Sequence, residues 1–520
     1  MKKIILSLLL LCAAVGIQAQ TDRDACWLNA ATGAWEWGFF KDFAVHDARQ
    51  WQYAAVKEGR KKTAVTLRSG KETLQLEIRH RNDSVCTITV NNGKAQTYRL
   101  WDSAKGILSY LPADDTPPQP CSYREDSVTL CGYLPSMEHA TFTCSMPQLT
   151  EYPKFQPQTD SLGRFRLRFP AFGPAQALCR IAGHTFTLLL NPEQDYYLYM
   201  DGRSPILMGE DARTSNELLA VGMNLDVFSP TERDIHSVDN RTCLDEVRHE
   251  LARRERQLDS LIGKHPNLSR RYRTLKEEEI RYSALHRLAY QRYNLSDFGE
   301  KRLSPEIVRA IDSLCHAIPP VPYTIFPDYH GFLQQSVYYQ YQQFLVRFAV
   351  MIDLEKLQQV LPWQEDLHLP DTLLQLIDRT VDMGRKFSRD NPADSVAMQA
   401  YNENHFKIAR EIHQFPEFRE RVPQIIGNAN LLRNQELLES STWTRFQKDL
   451  AGTLMAWEAL ERDHTPFPEP LMRETMAHIQ TPVLREAVAR RQDFYTRQLQ
   501  TPFDYQGCLL YTSDAADDGE

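Results

Sequence analysis

The cysteines and histidines of this sequence are the side chains whose spacing decides whether it can carry out redox, nucleophilic or metal chemistry. The chain has 520 residues, with 10 cysteines and 15 histidines. A redox-active dithiol needs C-x-x-C, so that a second thiol resolves the mixed disulfide formed by the first. No such pair is present, and no cysteine has a histidine at metal-site spacing. For Cys121 and Cys131, the nearest pair along the chain, two interpretations stay open: a local disulfide, or isolated buried thiols, which we favour.

Three further motifs fall short of a catalytic or binding constellation. His249-Glu250 begins like a zinc-protease helix, but Arg253 stands where the second histidine is required. Gly263-Lys264 lacks the leading glycine and the following Ser or Thr of a phosphate-binding loop. Cys315 and His316 are neighbours, and adjacent helical residues point about 100° apart, which favours a structural role. The sequence therefore predicts no catalytic residue, no metal ligand and no cofactor.

An aromatic segment is the remaining candidate for a binding surface. Two interpretations stay open, a groove for a partner or the core of a helical region, and the core is the commoner use of such residues. The aromatic residues are Tyr323, Phe326, Tyr329, Phe332, Tyr338, Tyr339, Tyr341 and Phe344.

The N-terminus predicts export, and the charge argues against nucleic acid. Lys2 and Lys3 precede an apolar run over residues 4–15, and Ala19 supplies a small residue for cleavage, so residues 1–19 are predicted to be a signal peptide. A lipoprotein anchored through Cys12 is disfavoured, because a leucine precedes that cysteine. No stretch is apolar over the roughly 20 residues of a membrane span. The net charge is −8, without a basic stripe.

The first half of the chain has the period-two patterns of β-strands. Val65 and Leu67 alternate with polar residues before a Ser69-Gly70 turn, and Cys86 and Ile88 do so before Asn92-Gly93. Cys86 is therefore predicted to be a core residue. We predict a β-rich domain over 20–111, a Pro-rich linker over 112–120 and a second, sandwich-like β domain over 121–210. The second domain includes Val128 and Leu130, then Phe165, Leu167 and Phe169, and two strands that meet at Asn191-Pro192.

From about Thr214 the apolar period becomes helical. One stripe comprises Leu244, Val247, Leu251, Leu258, Leu261 and Ile262, and Gly263 follows it. Ser304-Pro305 predicts another helix start, and further stripes cover 331–359, 371–388, 393–414 and 430–462. We predict an all-α domain over 214–505. The fold class is then α+β, with antiparallel β-rich domains followed by a helical domain.

Three segments resemble one family. WEWGFFKDFAVHDARQWQY, DSLGRFRLRFP and LLLNPEQDYYLYMDGRSPILMGEDARTSNELL are similar to the N-terminal region of TlpA-like exported thioredoxin-family proteins of Gram-negative bacteria. The resemblance covers most of residues 20–507. It implies a periplasmic protein in which a β-rich and then a helical region precede a thioredoxin domain bearing W-C-x-x-C. It also implies thiol–disulfide exchange with protein disulfides as partners. No functional residue is carried over, because the motif that holds them is absent.

The last residues differ in character from the rest. CLLYTSDAADD, from Cys508, has no helical or strand pattern and corresponds to one reading frame of the mosaic-end adapter of transposon-based sequencing libraries. We expect residues 508–520 to be non-native and the thioredoxin domain to be missing. The chain is then the accessory region of a thiol–disulfide oxidoreductase and is itself inactive. The alternative is a non-enzymatic periplasmic binding or interaction protein; a hydrolase has no supporting motif.

Overall fold

The structure is a computed structural model that describes residues 24–59, 62–202, 204–221, 240–296, 309–310, 313–314, 319–347, 352–364, 367–386, 395–414 and 416–500. The predicted signal peptide, Cys12, Ser304-Pro305, Cys315-His316 and the predicted tail lie outside these residues. The described chain forms two compact units. Unit 1 comprises the described residues up to 229, with 244–284 and 317–328, and unit 2 comprises the others.

Eight antiparallel strands close into a barrel at the start of unit 1, each strand paired with its neighbour in sequence and β1 paired with β8. The strands are β1 Ala25–Asn29, β2 Trp35–Phe39, β3 Phe43–His46, β4 Arg49–Glu58, β5 Thr63–Ser69, β6 Glu72–Asn82, β7 Val85–Val90 and β8 Gln96–Leu100.

The barrel has an apolar interior, and β1 to β3 are buried on their outer face as well. Interior residues alternate along the strands and include Trp27, Trp37 and Leu67. The residues between them on the first strands, such as Trp35 and Phe43, form a second apolar cluster outside the barrel. The first three strands are therefore apolar on both faces. In β5 to β7, buried and more exposed residues alternate, as expected for strands with one face exposed to solvent.

Both predicted hairpins are present, and one turn differs in detail. Val65 lies opposite Leu76 in β5 and β6, with Gly70 in the turn at a φ of 57°. Between β7 and β8 the positive φ values fall on Asn91 and Asn92, not on Asn92 and Gly93 as predicted. Gly93 instead donates its N–H to the Val90 carbonyl, which closes the turn one residue earlier. Cys86 is fully buried, as predicted.

Two four-stranded sheets follow, ordered β12-β9-β15-β16 and β11-β10-β13-β14. All their pairings are antiparallel except β9 with β15, which is parallel. Residues 112–120, the predicted linker, have no regular secondary structure. The strands are β9 Asp126–Tyr133, β10 Thr143–Ser145, β11 Lys154–Phe155, β12 Arg164–Ala171, β13 Ala175–Ile181, β14 His184–Leu190, β15 Asp195–Met200 and β16 Pro205–Met208.

The remaining described elements are helices, so the α+β class is confirmed, and the change from strand to helix lies between Met208 and Ala212. The α-helices are α1 Ala212–Val221, α2 Asn240–Lys264, α3 Arg270–Ser296, α4 Pro327–Arg347, α5 Leu354–Val360, α6 Asp371–Arg385, α7 Ser395–Ile412, α8 Pro416–Ser440, α9 Arg445–Asp463, α10 Glu469–His478 and α11 Pro482–Gln500.

The predicted helical stripes correspond to these helices with two corrections. The stripe over 331–359 covers two helices, α4 and α5, because residues 352 and 353 are not helical. Leu244, Val247 and Leu258 are buried on α2, as expected for one apolar face. The stripe over 430–462 is two helices, because α8 ends at Ser440 and Thr444 caps a new helix. In unit 2, α9 packs against α8, α10 and α11. None of the helices in the described residues has the length and apolar character of a membrane crossing. The predicted domain limits stay predictions.

Candidate functional site

A cavity of about 470 Å³ in unit 1 is a candidate concave site in the described residues. Its wall comes from the segment after β8, which includes a short 3₁₀ helix at Ile107–Ser109. The start of β16, the end of α1 and the turn between α2 and α3 complete it. Its volume lies within the range of small-molecule sites, about 300–1,000 Å³. Four chain segments that are distant in sequence therefore meet around one space.

A buried carboxylate holds the helical side of the cavity together. Glu217 on α1 accepts hydrogen bonds from the Ser269 N–H at 2.9 Å and the Ser269 hydroxyl at 2.6 Å. Arg213 approaches the same carboxylate at 3.1 Å. Burial raises the pKa of Glu217, and its hydrogen bonds to Ser269 oppose that rise. The Ser269 hydroxyl also accepts from the Tyr272 N–H and so caps α3. The carboxylate thus fixes α1 against the start of α3.

Hydrogen bonds connect the α2–α3 turn, which lines the cavity, to the segment that follows the barrel. Asn267 donates a side-chain N–H to the Leu108 carbonyl at 3.3 Å. Arg213 donates to the carbonyls of Pro112 at 2.6 Å and Asn267 at 3.0 Å. These bonds connect α1, the 3₁₀ segment and the α2–α3 turn. The cavity is therefore a built feature of unit 1 rather than a gap between loose loops.

The lining combines apolar and basic side chains. Ile107 is buried, and Trp101 contributes an indole ring. The Trp101 indole N–H is buried and has no acceptor among the described residues. Lys264 and His265 also line the cavity, and within the described chain neither forms an ion pair. An apolar ligand that carries a negative group matches this combination.

Two features reduce the positive potential of the cavity. Lys105, a third basic lining residue, lies 3.5 Å from the Asp102 carboxylate. Lys264 is the last residue of α2, where the helix dipole presents a partial negative charge that the lysine offsets. The site is therefore suited to one anionic group, and it contains no nucleophile–base pair.

Six cysteines whose side chains the structure describes are free thiols, and Cys121 and Cys131 are among them, which corrects the disulfide alternative for that pair. Cys121 is buried after the linker, and Cys131 lies on β9, where its partners across the sheet are Arg166 and Tyr197. Burial raises the pKa of both thiols, and it raises that of Cys86 to about 12. Thiols with raised pKa values are poor nucleophiles at neutral pH, because the thiolate is the reactive form.

The other sequence candidates have structural roles where the structure describes them. Glu250 pairs with Arg253 and Arg254, and the bond from Arg253 lowers its pKa to about 2. Lys264 is the one residue of these motifs that reaches the cavity. Phe326, Tyr329, Phe332 and Tyr341 of the aromatic segment are buried, which supports the core interpretation.

A second polar cluster, in unit 2, is an ion-pair network. Arg433 on α8 lies 2.6 Å from Asp353 and 2.8 Å from both Glu355 and Glu436. Lys356 contacts Glu436 as well. Because each charge has an opposite partner, the cluster joins α5 to α8 and leaves no group poised for catalysis. In the described part of the chain no three His, Cys, Asp or Glu side chains are grouped as metal ligands.

Comparison with models of protein families, with curated proteins and with solved structures finds no match. Sequence reasoning missed the cavity, since its residues come from four separate segments and only the tertiary fold brings them together. One local signal was available: Lys264 and His265 follow Gly263 in a helix-ending turn, where side chains are often exposed for binding.

Proposed function

We propose that this chain is the accessory, non-catalytic region of an exported, periplasmic thiol–disulfide oxidoreductase. The three segments that resemble TlpA-like proteins support the family, and the order of strands before helices agrees with that resemblance. The observation that carries the proposal is the state of the thiols: those described are buried or half-buried, and none belongs to C-x-x-C. Redox exchange in the parent protein then belongs to a further thioredoxin domain.

Amplification across the junction from source DNA tests the family. The expected gene diverges from this sequence at or next to Cys508 and continues into a strand, a W-C-x-x-C motif and a helix. A genomic copy of CLLYTSDAADD followed by a stop codon contradicts the proposal. A continuation without C-x-x-C favours the binding-protein alternative.

An insulin-reduction assay with dithiothreitol tests the inactivity of the chain itself. We expect the turnover of the reductant alone, because no two cysteines form C-x-x-C and the described thiols are buried or half-buried. A thioredoxin sample at the same concentration is the positive control. Turnover above the blank that a Cys131→Ser change abolishes contradicts the proposal, since Cys131 is the least buried of the described thiols.

The second candidate function is binding of a small amphiphilic anion, and the cavity in unit 1 favours it. The probe 8-anilinonaphthalene-1-sulfonate combines aromatic rings with one sulfonate, and N-phenyl-1-naphthylamine is a similar neutral probe. We expect Lys264→Ala to weaken binding of the anionic probe about 3- to 10-fold, the effect of losing one partly screened charge. The neutral probe should be unaffected.

Lys71→Ala is the matched control, because Lys71 lies in the exposed β5–β6 turn and does not line the cavity. Equal losses for both probes, or for both variants, contradict a site-specific anion contact. Quenching of tryptophan fluorescence by the bound probe locates it, since Trp101 lines the cavity. A Trp101→Phe variant should reduce that quenching.

A further inference from the structure

Two cysteines that are distant in sequence face each other in the second β region. Cys144 is the central residue of β10, and Cys179 lies on β13. The two are direct partners in the antiparallel pairing of these strands. Both side chains are fully buried. Residues directly opposite in a sheet point to the same face, so the two sulfurs lie on the same buried face of the sheet.

The pairing geometry is compatible with a covalent bond. Opposite residues in an antiparallel pair have Cα atoms about 4.5 or 5.5 Å apart, depending on the hydrogen-bonding position. A disulfide accepts Cα separations of about 4.4–6.8 Å, so both kinds of position qualify. Opposite Cβ atoms are about 4.5–5.5 Å apart, against about 3.5–4.5 Å in a disulfide. Bond formation therefore needs a small inward adjustment of β10 and no change of register.

The neighbours of the pair are apolar. Phe155 on β11 lies opposite Cys144, and Phe186 on β14 lies opposite Cys179, so the two sulfurs sit between aromatic residues in one row across the sheet. The Cys179 thiol donates weakly to the Ala177 carbonyl at 3.9 Å. Burial, and then the contact with Cys144, raises the pKa of Cys179.

The pair is unlike the other described cysteines. Cys26 lies opposite Gly38, and Cys86 lies opposite His80 and Tyr98. Isolated thiols of this kind act as small apolar core residues. Two thiols that are direct cross-strand partners can instead form a disulfide. Such a bond stabilises the folded chain, because it closes a loop and so lowers the conformational entropy of the unfolded chain.

We propose that Cys144 and Cys179 form a cross-strand disulfide by exchange with a small-molecule disulfide such as oxidised glutathione. A new S–S bond forms between the two cysteines, the S–S bond of the oxidant breaks, and two small thiols leave with the two protons. The chain is oxidised by two electrons and the oxidant is reduced by two. Because both sulfurs are shielded in the folded sheet, exchange takes place before β10 docks on β13. The proposal does not depend on the proposed function.

Refolding of the full chain in a mixture of oxidised and reduced glutathione tests the proposal. Remaining thiols are blocked with N-ethylmaleimide in denaturant, and the chain is digested with trypsin without reduction. Cleavage after Arg124, Lys154, Arg168 and Arg180 places Cys144 in the peptide 125–154 and Cys179 in the peptide 169–180. We expect these two peptides to be linked, and the link to disappear after reduction.

Cys131 shares the peptide 125–154, so Cys131→Ser is the control that assigns the bond. The link should persist in Cys131→Ser and be lost in Cys144→Ser. Mass spectrometry of the wild-type chain decides the matter even where Cys144→Ser fails to fold. Full alkylation of Cys144 and Cys179 after oxidative refolding, or a link that Cys131→Ser removes, overturns the proposal. Reduction of the linked protein should lower its thermal midpoint by about 5–10 °C.

Discussion

Glu278 is a buried acid whose protonation is coupled to folding. Only 5 % of its surface is exposed, and its carboxylate accepts the Tyr323 N–H at 2.9 Å. Burial raises its pKa to about 7, against the opposing effect of that hydrogen bond. The folded-state pKa therefore lies above the unfolded value of 4.5. Its contribution to stability is complete below about pH 4.5 and is lost as the pH rises through about 7.

We predict that Glu278→Gln changes the pH dependence of stability. Glutamine keeps an oxygen for the Tyr323 N–H and has no charge to bury. The variant should be more stable than the wild type by about 2–3 kcal/mol at pH 8.5, and this difference should vanish near pH 4.5. Urea unfolding at both pH values measures it. A pH-independent difference would mean that Glu278 is ionised in the folded chain.

Arg433 supports a second prediction at the scale of single residues. It faces Asp353, Glu355 and Glu436, and Asp353 is only 4 % exposed. Arg433→Met keeps the packing of the stem but leaves the Asp353 charge buried without its main partner. We expect a loss of about 3–5 kcal/mol in the free energy of unfolding.

Arg473→Met is the matched control for Arg433. Arg473 pairs with Glu469 on α10, where both side chains are largely exposed. Its loss should change stability by no more than about 0.5 kcal/mol, because water screens an exposed pair. Equal losses of unfolding free energy in Arg433→Met and Arg473→Met would show that burial of the ion pair does not determine how much its removal destabilises the chain.

At the scale of elements, the junction between α8 and α9 allows the contribution of a helix cap to stability to be measured. Thr444 accepts the Gln447 N–H, and the Gln447 side chain accepts the Thr444 N–H, which is a complete capping box. We predict that Thr444→Ala lowers the free energy of unfolding by about 1 kcal/mol. Chemical denaturation measures the change. The nearby exposed Thr442→Ala should have little effect, and a similar loss there would mean that the junction is sensitive for another reason.

The strands and helices were predictable from the sequence where one face of the element is exposed to solvent. β5 to β7 alternate because only the barrel interior is apolar, and the helix with Leu244 and Val247 shows one stripe for the same reason. β1 to β3 are apolar on both faces, so their period does not reveal which side faces the interior. The partners of Cys144 and the lining of the cavity depend on register and tertiary contact, which a single sequence does not encode in any local pattern.

At the scale of the whole molecule, the strand regions of unit 1 depend on hydrogen bonds to residues much later in the chain. The Ile325 N–H donates to the Pro174 carbonyl at 2.7 Å, and the Cys121 N–H donates to the Pro322 carbonyl at 2.6 Å. Glu217, whose side chain is fully buried, needs Ser269 as its donor. Residues 244–284 and 317–328 thus complete the packing and hydrogen bonding of the strand regions.

We predict that a fragment of residues 24–328 unfolds cooperatively and is more stable than a fragment of residues 24–221. The shorter fragment leaves Glu217 without Ser269 and the Pro174 carbonyl without its donor. Its thermal midpoint should be lower by about 10 °C or more. Circular dichroism at a strand-sensitive wavelength measures both midpoints. Equal midpoints would mean that the strand regions fold independently of the later segments.

The sequential pairing of the barrel has a consequence for synthesis of the chain. Every barrel strand meets its neighbour in sequence, so the barrel can close as soon as Leu100 has left the ribosome. The outer apolar cluster on β1 to β3 also includes Tyr197 and Met208, which are made later. At translation rates of about 5–20 residues per second, the ~100 intervening residues take about 5–20 s. During that interval the nascent barrel lacks the later residues that cover this apolar face in the folded chain, and exposed apolar surface of this kind favours aggregation.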